Sequence, residues 1–268
     1  EITKEVLMDN RAKRKSRREF LKASAVAAGA VVAVSGSTLA VASATSKRHR
    51  WGFLIDLDRC IGCKACSVAC KTESEVPLGV FRSSVKELDE GAYPNVKRTF
   101  LPWLCNHCKN PVCLEVCPVE EVEAKFVWPD GTVEQYMKKA TYQRPDGVVL
   151  VDQDRCIGCG QCVDECPYGV RFLNPGKNTV SADAVGDHPA DKCDLCVHRL
   201  DAGVVPACVN TCQGGARIVG DLNDPNSEIS KIIKSQKLSV LLPEKGTDPQ
   251  CRYVSLNPET YSKGRDTR

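Results

Sequence analysis

Two short apolar segments of the chain each run directly into the same polar motif. They read FLIDLDRCIGC at residues 53–63 and VLVDQDRCIGC at residues 149–159. Short runs rich in Val, Ile, Leu and Phe are typical of β-strands, so we predict one strand before each motif. The shared acid-x-x-Arg-Cys ending makes the two segments an internal repeat.

The pattern predicts further elements between and after these strands. Asp130-Gly131 and Asp146-Gly147 are turn signals flanked by β-favouring residues, which predicts hairpins within residues 126–152. Residues 227–238 read SEISKIIKSQKL and place apolar side chains at helical spacing. We therefore expect a surface helix there, ahead of an irregular tail.

The beginning of the chain has the order of regions that an export signal requires. Residues 11–22 are strongly basic, residues 23–44 are uncharged and rich in Ala, Val and Gly, and the run closes with Ala42-Ser43-Ala44. The string SRREFLK resembles the twin-arginine export consensus. We predict a twin-arginine signal over residues 1–44 and a periplasmic location, with an uncleaved membrane anchor as the alternative.

The net charge of +3 comes from the N-terminal region. Residues 1–44 contain eight Lys or Arg and four Asp or Glu, a balance of +4, so the rest of the chain is near −1. This leaves no overall positive charge to indicate nucleic-acid binding. A length of 268 residues allows two compact domains.

Cysteine is the residue whose use departs most from the ordinary. The chain has 17 cysteines, and all but Cys251 fall into four tight groups. The groups are Cys60, Cys63, Cys66 and Cys70; Cys105, Cys108, Cys113 and Cys117; Cys156, Cys159, Cys162 and Cys166; and Cys193, Cys196, Cys208 and Cys212. Disulfides are one explanation for an exported protein, but neighbours within a single loop are poorly placed to bridge one another.

The first and third groups have the spacing C-x2-C-x2-C-x3-C of bacterial ferredoxins. In that arrangement three thiolates bind one 4Fe-4S cluster and the fourth reaches a second cluster. Gly62, Gly158 and Gly160 allow the loop to turn tightly around the cluster. We therefore predict an α+β protein in which a strand enters each cysteine group and a short helix follows its last cysteine.

The second and fourth groups are variants of this spacing, and by themselves they leave a zinc site open. Beside two full ferredoxin runs, cluster binding is the favoured interpretation. His107 lies between two cysteines and is predicted to be a neighbouring or surface residue rather than a ligand. Cys251 is predicted to be a free thiol.

Longer strings around the cysteines resemble the iron-sulfur subunits of the dimethyl sulfoxide reductase family of molybdenum enzymes. They include CIGCKACSVACKTE, LCNHCKNPVCLEVCPV, CIGCGQCVDECPYGVRF and DKCDLCVHRLDAGVVPACVNTC, and they cover most of residues 53–227. The resemblance is strongest to the tetrathionate and polysulfide reductase branch. Residues 126–144 depart from the family pattern by their length and are predicted to form a contact surface.

The resemblance implies four 4Fe-4S clusters in two ferredoxin-like domains with a β-hairpin insertion. One domain would comprise residues 45–98 and 181–226, the other residues 99–180, and residues 227–268 would form a helix and tail. The implied ligand sets are Cys60, Cys63, Cys66 and Cys212; Cys70, Cys193, Cys196 and Cys208; Cys105, Cys108, Cys113 and Cys166; and Cys117, Cys156, Cys159 and Cys162. We call them sets one to four in this order.

The implied function is electron transfer in anaerobic respiration. The chain would relay electrons between a membrane subunit that oxidises quinol and a molybdopterin catalytic subunit, with no catalytic residues of its own. Membrane association would come mainly through the partner. The alternatives are an iron-sulfur subunit of another exported complex, acting on arsenate, thiosulfate or sulfite-linked reduction, and a free polyferredoxin.

Overall fold

A computed structural model describes residues 48–257 of the chain, apart from the side chain of Glu90. The predicted export signal, residues 1–44, and the end of the predicted tail, residues 258–268, lie outside the described residues. Helices and strands alternate through the described part, which confirms a mixed helix and strand fold.

A four-stranded sheet forms one part of the core. Its strands are β1 (Trp51–Asp56), β10 (Arg217–Asp221), β11 (Leu238–Ser239) and β12 (Cys251–Val254), in the spatial order β10-β1-β12-β11. Strand β1 is antiparallel to β10 and parallel to β12. The sheet therefore joins the strand before the first cysteine group to segments after the fourth. The prediction of an irregular tail is wrong, because β11 and β12 lie in that tail and pair within the sheet.

The remaining strands form four two-stranded antiparallel pairs. They are β2 (Ser83–Ala92) with β3 (Asn95–Leu104), β4 (Val122–Val127) with β5 (Val133–Lys138), β6 (Thr141–Gln143) with β7 (Val149–Val151), and β8 (Phe172–Leu173) with β9 (Ala190–Asp191). The predicted hairpins within residues 126–152 are confirmed as β4–β5 and β6–β7. The predicted strands before the repeat motif are confirmed as β1 and β7.

Six helices lie in the described part of the chain, and five of them adjoin cysteines. They are α1 (Ala65–Glu73), α2 (Val112–Glu115), α3 (Gln161–Asp164), α4 (Val197–Leu200), α5 (Ala207–Asn210) and α6 (Glu228–Ser235). Helix α6 confirms the helix predicted over residues 227–238. Its N-cap is Ser227, whose Oγ accepts a hydrogen bond from the backbone N–H of Ser230 at 3.2 Å.

The prediction that a short helix follows the last cysteine of each group is wrong for three groups. Helices α2, α3 and α5 begin before the third cysteine of their group and end before the fourth. Only α1 continues beyond its last cysteine, Cys70. The reason is that the last two cysteines are four residues apart, about one helical turn, so the helix forms between them.

The core packs the sheet against the loops that carry the cysteines. Leu54, Ile55 and Tyr253 are fully buried, and several cysteines belong to the same buried cluster as Ile55 and Tyr253. The predicted domain boundary at residues 98 and 99 falls inside β3, and the division into two domains stays a prediction. Among residues 48–257, no helix combines the length and apolar character needed to cross a membrane.

Candidate metal centres

All 17 cysteines lie in the described part of the chain, and each one has a free thiol. Cys63 is exposed, and the others are buried or half-buried. The thiols are therefore available as ligands, and their positions can be compared with the four predicted sets.

Four thiols from two distant parts of the sequence line one cavity. They belong to Cys60, Cys63 and Cys66 of the first group and to Cys212 of the fourth, which together make up set one. The loop turns at Gly62, where φ is 68°. A Cβ atom there would lie 2.2 Å from the Phe100 ring, so only glycine fits without rearrangement.

A second cavity is lined by the four thiols of set three. Cys105, Cys108 and Cys113 come from the second cysteine group and Cys166 from the third. Each of the two cavities thus combines three thiols of one group with the last thiol of another.

The thiols of set two are also neighbours, although they do not line a separate cavity among those described. Burial, together with the nearby thiols of Cys208 and Cys196, raises the pKa of Cys70 to about 12. Burial likewise raises the pKa of Cys193, with Cys70 and Cys208 among the contributing neighbours. The first and fourth groups therefore meet at this second place as well.

Set four is brought together around a small buried cluster. Cys117, Cys156 and Cys162 pack there with Ala140 and Ala190. Burial raises the pKa of Cys162, and the thiols of Cys156, Cys159 and Cys117 add to this effect. The second and third groups are thus joined in the same way as the first and fourth.

Helix packing explains why the groups meet in this combination. The last two thiols of each group are four residues apart, and the helical turn between them directs them to nearby positions on one face. Helix α1 packs against α5, and α2 packs against α3. The first contact joins groups one and four, and the second joins groups two and three.

The donor set suits a cluster of several metal atoms. Burial raises the pKa of Cys108 to about 12 and that of Cys113 to about 11, so these thiols resist ionisation without a compensating cation. Metal coordination supplies that positive charge and deprotonates a thiol. Within residues 48–257, no three His, Cys, Asp or Glu side chains are grouped as ligands of a single ion. One zinc would require four thiolates at about 2.3 Å from a common point.

Comparisons with known proteins agree with this chemistry. Residues 96–222 match a family model described as a 4Fe-4S dicluster domain, and residues 51–72 match a 4Fe-4S binding domain. The chain is 45% identical over 217 residues to the B subunit of tetrathionate reductase from Salmonella typhimurium, which covers 79% of this chain and 75% of the relative. The chain belongs to the iron-sulfur subunits of the dimethyl sulfoxide reductase family.

Other members of this family act with different reductases. The arsenate respiratory reductase iron-sulfur subunit ArrB of Shewanella sp. is 34% identical over 243 residues, covering 76% of this chain and 96% of the relative. The B subunit of selenate reductase from Mesobacillus selenatarsenatis is 35% identical over 229 residues, covering 77% and 72%. Membership makes 4Fe-4S clusters the cofactors of this chain. All 16 predicted ligands lie inside the two matched segments, and Cys251 lies outside them.

Backbone N–H groups point at several of the predicted ligand sulfurs of this iron-sulfur subunit. Ala216 and Ala190 donate to the Sγ atoms of Cys212 and Cys156 at 3.3 Å each. Three further such bonds, 3.4–3.5 Å long, reach Cys193, Cys105 and Cys117. Hydrogen bonds to cluster sulfur are one of the ways in which a protein sets the reduction potential of an iron-sulfur cluster.

The structure buries both His107 and Cys251, the two residues that were predicted not to be ligands. Of the two positions predicted for His107, neighbouring or on the surface, it takes the first, and its Nδ1 accepts a hydrogen bond from the Val149 backbone N–H at 3.1 Å. Burial lowers the pKa of His107, and the nearby charges of Lys192 and Arg171 lower it further. Cys251 is a buried free thiol.

Sequence reasoning did not identify two buried arginines beside the thiols. Arg217 lines the cavity of set one, and Arg171 lines the cavity of set three. Each follows the last cysteine of its group by five residues, Cys212 and Cys166 respectively. This equal spacing was a signal in the sequence that could have revealed them.

Proposed function

We propose that this chain binds four 4Fe-4S clusters through the four thiol sets and relays single electrons along them, without bond chemistry of its own. The observation that carries the proposal is that two separate cavities are each lined by four thiols in the predicted combination. The proposed ligands are the 16 cysteines of sets one to four. When bound, such clusters take up and release single electrons.

Contacts between sets support a relay in the order one, two, three, four. The thiol of Cys66, in set one, lies close enough to that of Cys208, in set two, to raise the pKa of Cys208. In the same way, the thiol of Cys105, in set three, raises the pKa of Cys193, in set two. Cys113 of set three packs against the buried cluster that contains the thiols of set four. Each set thus has the next one as its neighbour.

The proposed architecture is two ferredoxin-like domains, each with two of the sets. Its support is the packing of α1 on α5 and of α2 on α3, which links the groups two by two. The β4–β5 hairpin would be the insertion, and its contact role stays a prediction. Burial of most ligands, with backbone N–H groups near their sulfurs, would exclude water and set the potentials.

The proposed partners are a molybdopterin-containing catalytic subunit and a membrane subunit that oxidises quinol. Support for a catalytic partner comes from the relatives, which are named as subunits of reductases. The proposed location is the periplasm or the outer face of the cytoplasmic membrane, reached by the twin-arginine route. Its support is the string SRREFLK in the N-terminal region.

The proposed function is tested by metal analysis of the protein purified anaerobically from membranes, in its native complex. We expect about sixteen iron and sixteen sulfide per chain, with about one molybdenum in the co-purifying protein. Full iron without molybdenum would contradict the molybdopterin partner and favour a free polyferredoxin. Zinc in place of iron would contradict the cluster assignment.

A matched pair of variants tests the ligand assignment. Cys105 and Cys251 are both buried, but only Cys105 belongs to a proposed set. We expect Cys105→Ala to lower the iron content and alter the cluster signals, because one iron loses its thiolate. Cys251→Ala should retain the iron of the parent. Equal loss of iron in both variants would contradict the assignment.

The relatives also make the choice of terminal substrate testable. Tetrathionate or polysulfide reduction is the proposed activity of the complex, and arsenate reduction is the alternative that the 34% identity to ArrB favours. Electron transfer from reduced quinol to each acceptor, measured with the intact complex, distinguishes them. Activity with arsenate alone would replace the proposed substrate and leave the relay unchanged.

A further inference from the structure

The two buried arginines each lie at the end of a similar turn, which follows the last cysteine of the third group and of the fourth group. Residues 166–171 read CPYGVR and residues 212–217 read CQGGAR. In both, the glycine three residues after the cysteine has a positive φ, 57° and 59° respectively. Glycine adopts this conformation readily, so the same local turn can place both Arg171 and Arg217 beside the thiols.

Each arginine lies between the two sets of one pair. Arg217 is 3% exposed and lines the cavity of set one, and its positive charge also acts on the thiol of Cys208 in set two. Arg171 is 4% exposed and lines the cavity of set three, and its positive charge also acts on the thiol of Cys162 in set four. A guanidinium is always charged in proteins, so each pair of sets has one buried arginine charge beside it, and Lys192 adds a second buried cation at the cavity of set three.

Neither guanidinium has its hydrogen-bonding capacity filled by the protein. Arg217 donates from Nη2 to Ser83 Oγ at 3.0 Å, and Arg171 donates from Nη2 to Thr141 Oγ1 at 3.1 Å. Nη1 of Arg217, and Nε and Nη1 of Arg171, are buried without a hydrogen-bond partner in the structure. Such groups need an acceptor, and cluster sulfur at the adjacent thiol sets would provide one.

Two half-buried arginines in the described chain are neutralised by carboxylates. Arg82 forms ion pairs with Asp191 and Asp194, and Arg144 forms them with Asp146 and Asp201. The buried Lys192, which also lines the cavity of set three, donates instead to the backbone carbonyls of Val149 and Cys193. Among the described residues, no carboxylate forms an ion pair with Arg171 or Arg217. Their charge is therefore compensated from the thiol side, because a buried charge without a counter-charge is strongly destabilising.

We propose that Arg217 and Arg171 are potential-setting residues, each holding up the reduction potentials of the two clusters between which it lies. One-electron reduction adds negative charge next to the guanidinium, so the cation favours the reduced state more than the oxidised state. Removing the cation is therefore expected to lower the reduction potentials of both neighbouring clusters. Arg217 acts on sets one and two, and Arg171 acts on sets three and four.

The test is a redox titration of the intact complex followed by electron paramagnetic resonance, with Arg217→Gln and Arg217→Lys compared with the parent. We expect Gln at this position to lower the potentials of two of the four clusters, with at least a tenfold change in the ratio of oxidised to reduced cluster. For one electron, a tenfold change corresponds to 59 mV. Lys retains the charge and should keep the potentials closer to the parent values.

Two further variants serve as controls. Arg171→Gln should lower the potentials of the other two clusters, and Arg144→Lys, at a half-buried arginine paired with carboxylates, should shift none. Unchanged potentials in both Gln variants would overturn the inference. Equal shifts for Gln and Lys at Arg217 would also overturn it, because the charge would then not be the cause.

If Arg217→Gln loses a cluster, the result for Arg217→Lys decides how that loss is interpreted. If Arg217→Lys keeps all clusters near the parent potentials, the requirement for a charge is supported, and loss of clusters from both would overturn the inference. The inference rests on the proposed function, but the two fail differently. A parent complex with fewer than four clusters contradicts the proposed relay, whereas four clusters with insensitive potentials contradict only the role of the arginines.

Discussion

Gly158 and Gly160 offer a direct comparison within one cysteine loop. They are two residues apart, and both have a positive φ, 72° and 77°. A Cβ on Gly158 would lie 2.7 Å from the backbone oxygen of Gly186 and 3.0 Å from that of His188. A Cβ on Gly160 would meet no other atom within 4 Å. The two Gly→Ala variants therefore share the backbone strain but differ in the clash.

The difference can be given a magnitude. Alanine in the left-handed region costs about 1 kcal/mol at either position. At Gly158 the clash also pushes apart two loops joined by hydrogen bonds from Val185 N and Gly186 N to Ile157 O, of 2.8 and 3.1 Å. Losing both costs about a further 2 kcal/mol. We expect Gly158→Ala to destabilise the protein by about 3 kcal/mol and Gly160→Ala by about 1 kcal/mol.

The assay is thermal unfolding of the two variants under anaerobic conditions at one scan rate. A difference of about 2 kcal/mol corresponds to about 4–8 °C in apparent melting temperature for a protein of this size. Iron analysis before heating shows whether the loop still holds its cluster. Equal melting temperatures for the two variants, both with full iron content, would refute the reasoning, since the close approach of the loops would then carry no energetic consequence.

Two further predictions concern stability away from the cavities and at a half-buried ion pair. Ile229→Ala should lower the free energy of unfolding by about 2–5 kcal/mol, because Ile229 is fully buried. The iron content should stay unchanged, because the buried cluster around Ile229 contains no cysteine. Loss of iron from the folded variant would contradict this prediction. Lys138 Nζ donates to the Asp152 carboxylate at 2.8 Å. Burial, the largest single effect, raises the pKa of Asp152, but the bond and charge of Lys138 together with the backbone N–H and charge of Arg155 outweigh burial and lower the pKa. Asp152→Asn should therefore cost about 1 kcal/mol at neutral pH. Because the folded pKa lies below the unfolded value of about 3.9, that difference should persist above it and disappear as the pH falls through the folded value, as measured by denaturation at several pH values.

Some features of the site could be read from the sequence because they depend on nearby residues. The loops around Gly62 and Gly158 follow from cysteines separated by only two residues, which force a tight turn of the backbone. The hairpins at Asp130-Gly131 and Asp146-Gly147 and the helix Glu228–Ser235 follow from turn chemistry and from apolar spacing.

Other features could not be read in this way. In three groups the helix lies before the last cysteine and not after it as predicted, because the last two cysteines are spaced by about one helical turn and the helix forms between them. The burial of His107 depends on the Val149 strand, which lies 42 residues away in the sequence. No local pattern reports whether such a distant strand will cover a side chain.

By itself, the sequence determined the chemistry of this protein: thiols in groups of four, spaced for iron-sulfur clusters and set in short turns. Only the tertiary structure brought Cys212 to the cavity of Cys60, Cys63 and Cys66, and Cys166 to that of the second group. Only the tertiary structure also buried Arg171 and Arg217 and placed each of them between two thiol sets. The physical reason is range: turn and loop geometry is decided by a few neighbouring residues, whereas the meeting of distant thiols and the burial of a charge depend on how helices and strands pack.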